Sequence, residues 1–180
     1  MPYDLHQFIA DCRTNLKQDP GPAGREKIRR DLERLLQEPD FLAQHCCDAT
    51  PIGLHVLHDD SDLGFQILAH INEKARRSPP HDHGHSWAIY GQAALYTDMT
   101  EYERVDGGKD PDNAELKVTT TYRLMPGQAG IYQDGAIHAI DYPDRSRFVR
   151  VTGTNLDRIA RSRFDLATGR VAQMTPQQAT

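Results

Sequence analysis

Downstream of Pro51 the chain becomes a series of short runs rich in β-branched and aromatic residues, separated by turn signals every eight to twelve residues. These runs predict strands over 54–57, 65–71, 86–96, 102–105, 116–125, 130–132, 137–142 and 147–152. The breaks include Asp59-Asp60-Ser61-Asp62, Asp106-Gly107-Gly108, Pro126-Gly127 and Tyr142-Pro143-Asp144. Many strands with no helical pattern between them indicate an all-β sandwich or jelly roll.

The preceding residues have a different period. Leu5, Phe8, Ile9, Cys12 and Leu16 share one helical face behind Asp4, a suitable N-cap. Pro20-Gly21-Pro22 ends that helix. A second follows with Ile28, Leu32, Leu35 and Leu36 on its apolar stripe, and Pro39 opens a short third. The expected organisation is a helical cap over 1–50 and a β domain over 51–180, forming one structural unit.

Composition removes several classes of function. Lys+Arg 21 against Asp+Glu 26 leaves a net charge of −5, without the basic excess expected of a nucleic-acid binder. Arg25, Lys27, Arg29, Arg30 and Arg34 read as the solvated face of the second helix. No apolar run approaches a membrane span. Met1-Pro2-Tyr3-Asp4 lacks the layout of a secretory signal, and three cysteines, two of them the adjacent Cys46 and Cys47, do not form a disulfide framework. A cytoplasmic location is expected.

The chemistry concentrates in nine histidines, above all in Pro79-Pro80-His81-Asp82-His83-Gly84-His85-Ser86-Trp87. In extended backbone, residues i and i+2 project to the same face, so His81 and His83 present two imidazoles to one point. His138, after Gly135-Ala136-Ile137, is the best third ligand. His85 continues the alternation unless Gly84 turns the chain. Ligand type alone admits Zn, Ni, Cu or Fe.

At these residues the sequence resembles the cupin superfamily. Gly127, Gly135 and His138 stand at the intervals of the second cupin motif, with Gln133 and Tyr142 replacing its proline and asparagine. His81 and His83 match the His-x-His of the first motif, whose glutamate is missing because Trp87 and Ala88 occupy its positions. Three histidines without a glutamate are similar to the thiol dioxygenase branch, the cysteine and 3-mercaptopropionate dioxygenases. The resemblance runs from about His55 to Leu156. It implies a cupin jelly-roll barrel with the N-terminal α-helices packed outside, and Fe(II) held by His81, His83 and His138. It further implies a small anionic substrate, O2 as co-substrate and, by family habit, a homodimer.

Departures from that branch bear on the substrate. Its Ser-x-His-x-Tyr line falls on Phe148, Arg150 and Thr152, and its carboxylate-binding arginine falls on His55. The resemblance turns Arg150 into the barrel, where a guanidinium suits a bidentate carboxylate. Arg150 and Tyr90 are thus the candidate catalytic side chains, and His55, His70, Trp87 and Arg150 the candidate substrate contacts. A mercapto-dicarboxylate is one admissible substrate, held by Arg150 with Arg123 or Arg147. The competing reading is a cupin without redox chemistry, either a small-molecule sensor or a Zn- or Ni-dependent isomerase.

Overall fold

The computed structural model describes residues 2–108 and 110–176. Three helices come first: α1 (Leu5–Gln18), α2 (Pro22–Leu35) and α3 (Pro39–His45). The Asp4 carboxylate accepts from the Gln7 backbone N–H at 2.8 Å, and Pro22 opens α2 at a position where no donor is needed. The basic face of α2 is ion-paired as well as solvated, since Arg29 contacts Glu26 and Glu33 and Arg25 contacts Asp134.

The strands follow as β1 (Gly53–Asp59), β2 (Gln66–Ile71), β3 (Arg76–Arg77), β4 (Ala88–Ala94), β5 (Thr97–Arg104) and β6 (Leu116–Leu124). The remainder are β7 (Ala129–Tyr132), β8 (Ile137–Tyr142), β9 (Arg147–Thr152), β10 (Arg161–Phe164) and β11 (Val171–Met174). They form a five-stranded sheet in the order β1-β2-β9-β4-β7, a four-stranded sheet in the order β3-β8-β5-β6, and a β10-β11 hairpin. Every pairing within these sheets is antiparallel. From β2 onward the chain passes repeatedly between the two larger sheets.

Alternation gives the five-stranded sheet two apolar faces. Ile67, Ala69, Ile89, Val149 and Val151 pack under the helices with Phe8, Ile28, Leu32 and Leu35. Ala88, Tyr90, Tyr132 and Phe148 look the other way and meet Met99, Leu124 and Tyr142 of the second sheet. Gly91 marks the closest approach of helix to sheet, because a Cβ there would lie 2.6 Å from Leu36 Cδ1 and 2.7 Å from Leu32 Cδ2. The valines of β9 therefore lie outside, and Phe148, Arg150 and Thr152 lie between the sheets.

Several elements differ from the sequence expectation. The single strand predicted over 86–96 starts at Ala88 and stops at Ala94, where Leu95 adopts φ 61° and the chain turns into β5. Ala-Ala-Leu-Tyr contains no customary turn residue. The buried Gln92 side chain holds this turn, donating to Ala94 O at 2.7 Å and accepting from Thr97 Oγ1 at 2.8 Å. The strand predicted over 102–105 is only the end of β5. The two-residue β3 and the β10-β11 hairpin were not anticipated at all.

Candidate metal centre

The four-stranded sheet and the β10-β11 hairpin meet at His81. Its backbone exchanges hydrogen bonds with His138 of β8, at 2.9 Å and 3.0 Å. On its other side His81 bridges to Arg163 of β10. Asp82 accepts from Ser162 N at 2.8 Å through its carboxylate, and Phe164 N donates to Pro80 O at 2.8 Å. Strand β10 thus fastens the segment carrying His81 and His83.

His81, His83 and His138 each offer a ring nitrogen, and these atoms lie within 4.8 Å of one another. His81 Nδ1 donates to Pro79 O at 3.0 Å and His138 Nδ1 to Ala136 O at 3.3 Å, tautomers that leave both Nε2 lone pairs free. His138 Nε2 is buried without any partner. Burial keeps all three rings neutral: it pushes the pKa of His138 down to about 3, lowers that of His81, and holds that of His83 well below the usual range. Three neutral imidazoles whose ring nitrogens cluster this closely are the donor set a divalent transition metal requires. The residues fit a metal.

His85 does not join them. Gly84 takes φ 58° and turns the chain, leaving His85 exposed. A side chain at Gly84 would also drive a Cβ to 2.3 Å from Ala160 O, so glycine suits both the turn and the close approach of the C-terminal segment.

The three rings are braced by aromatics. Tyr132 stacks on His138 with 4.2 Å between centroids, and its hydroxyl pairs with Tyr122 Oη at 2.6 Å. Tyr90 Oη lies 3.3 Å from His83 Nε2. In front of His81 and His83 is a cavity of about 280 Å³, also walled by His70, Tyr90, Phe148 and Arg150. His70 stacks on Phe148 at 4.4 Å, and its pKa is held well below the usual range, first by burial and then by Arg150. The charge of Arg150 likewise disfavours protonation of His81, His83 and His138, after the larger effect of burial.

The remaining sequence candidates lie elsewhere. Trp87 belongs to the helix-side core and has Arg25 5.8 Å from its ring centroid, because the residue before β4 faces away from the cavity. His55 is on edge strand β1 opposite Ala69, which packs on the helix side, and its Nε2 is 2.7 Å from Pro51 O. Neither is brought to the cavity. Arg123 pairs with Asp98 outside the second sheet, and Arg147 pairs with Asp48, so the two arginines considered as partners of Arg150 are already engaged. Arg76, Arg161 and Arg163 line the cavity instead. The alternation in Arg161-Ser162-Arg163-Phe164 was the available sequence signal for this strand.

A shallower groove of about 1040 Å³ runs between the outer face of the second sheet and the terminal hairpin. It mixes Arg77, Arg163 and Arg170 with Asp98, Asp141 and Asp165 and contains none of the three clustered histidines. Among the described residues, no helix is long and apolar enough to cross a membrane.

No family model matches the sequence, and no curated protein matches it. The structure is similar to the cupin domain of Schizosaccharomyces pombe Cnp3, with TM-score 0.45 and 12% identity over 59% of this chain and 66% of that one. It is similar also to a cupin superfamily protein from Desulfitobacterium hafniense, with TM-score 0.43 and 14% identity over 61% and 83% of the two chains. KdgF from Halomonas sp. gives TM-score 0.42 and 15% identity over 59% and 83%. The metal-centre assignment rests on the three histidines themselves.

Proposed function

We propose that this protein is a mononuclear, iron-dependent cupin dioxygenase of jelly-roll fold that oxidises a small anionic thiol to its sulfinate. The observation carrying this reading is the set of three neutral histidines beside a small cavity whose only charged lining groups, among the described residues, are arginines. His81, His83 and His138 would hold the metal. Iron would supply Lewis acidity toward the thiol and redox chemistry toward O2.

The chain's own groups account for binding. Three neutral ligands leave the charge of a divalent ion uncompensated, which favours an anionic substrate. Arg150 offers a planar fork to its carboxylate and lies with Cζ 6.0 Å from the Tyr90 ring centroid. Tyr90 lines the same space with its hydroxyl beside His83 Nε2, and would donate to substrate oxygen developing negative charge there. Phe148 and Tyr142 bound the cavity with apolar surface, and its volume admits a small molecule rather than a polymer. The overall change, RS⁻ + O2 → RSO2⁻, draws all its electrons from sulfur, so no external reductant is needed.

Oxygen-electrode assays of iron-loaded protein with a panel of mercapto-carboxylates test this proposal. Thiol and O2 are expected to disappear one for one, with sulfinate as product. Failure of every thiol to stimulate uptake would overturn the proposal in favour of a cupin without redox chemistry.

A further inference from the structure

The arginines of the cavity outnumber what a monocarboxylate can satisfy. Arg76, Arg150, Arg161 and Arg163 all line it and, among the described residues, no Asp or Glu does. Arg150 has no carboxylate within 4.0 Å among the described residues, and Arg161 has only the exposed Asp157, at 3.9 Å. The Nε atoms of Arg150 and Arg161 are both buried and lack a hydrogen-bond partner, as does His70 Nε2. Burial, followed by the neighbouring charge of Arg150, disfavours the charged form of Arg161. Two guanidiniums that repel each other, each with an unsatisfied buried donor, carry costs that an anion between them would offset.

We infer that Arg150 and Arg161 together form a two-armed anion site, and that the substrate is a short dicarboxylate with one carboxylate on each arginine. The arms come from different elements. Arg150 projects from β9, beneath Tyr90, and Arg161 projects from β10, the strand fastened to the His81 segment. Arg76 and Arg163 are more exposed and extend the positive field to the rim, where they attract anions without fixing their geometry. This inference rests on the reading of the cavity as the substrate site and specifies its substrate as a mercapto-dicarboxylate.

Calorimetric titration of the purified full chain with succinate and with propionate tests it without turnover. Succinate is expected to bind about tenfold or more tightly than propionate, the increment of a second charge-assisted fork. Arg161→Gln should lower succinate affinity to the propionate level, leave propionate within about twofold, and leave metal content unchanged. Equal affinities for the two acids in the unaltered protein would overturn the inference, whether or not the variant folds, as would a variant that weakens both acids equally. A protein that prefers succinate but consumes no O2 with any thiol would contradict the dioxygenase proposal alone.

Discussion

Replacing Arg150 by glutamine raises KM for 3-mercaptopropionate about 10–100-fold, the loss expected when a charge-assisted pair worth about 1.5–3 kcal/mol is removed. Metal content should be unchanged, because Arg150 stands on β9 and all three histidines lie on other segments. The near-isosteric glutamine keeps most of the packing against Tyr90 while removing the charge. An unchanged kcat would mark an interaction made equally in ground and transition states. A variant whose KM stays within about twofold of the parent would contradict the role assigned to Arg150.

The second large effect is structural. Leu32→Ala is expected to destabilise the fold by about 2–5 kcal/mol, the usual range for a leucine truncated in a closed core. Leu32 has no exposed surface and packs against β4 at Gly91, where helix and sheet are too close for a side chain on the strand. A domain of this size has about 5–15 kcal/mol in total, so the denaturation midpoint should fall far. Metal binding below the transition should persist, since the histidines are on the opposite face of the five-stranded sheet. A loss below about 1 kcal/mol would mean that the helices contribute little to holding that sheet.

The parts of this molecule that follow from local chemistry could be read from the sequence. Asp4, the Pro-Gly-Pro break and the apolar stripes of the first two helices each specify their neighbours. His81 and His83 converge because of the two-residue period, and His138 follows a glycine turn at cupin spacing. The parts that depend on tertiary pairing could not be read in this way. The turn between β4 and β5 depends on the buried side chain of Gln92, whose amide is also tied to Ser146 Oγ, 54 residues further along the chain, at 3.2 Å. Arg161 looks like an ordinary surface arginine until β10 is fastened beside His81. Trp87 looks like a pocket residue by its proximity to the histidine motif, and His55 by standing where the resembled branch places an arginine, but the register of β4 and β1 turns them toward other surroundings. For Arg150, alternation fixed a shared face with Phe148 and Thr152, while the identity of that face depended on the helices covering the valines.

Whether His81, His83 and His138 hold one divalent metal is decided by elemental analysis of anaerobically purified protein beside a His138→Ala control. The parent should contain about one iron per chain. The variant should lose more metal affinity than the roughly 10–100-fold typical of removing an outer hydrogen-bond partner, since an inner ligand is lost. A thermal melt of both proteins in the presence of a chelator would separate loss of ligation from loss of fold. Parent protein that takes up no stoichiometric metal even after anaerobic reconstitution with iron, or a folded variant that retains its full metal content, would mean that these histidines do not form a metal centre.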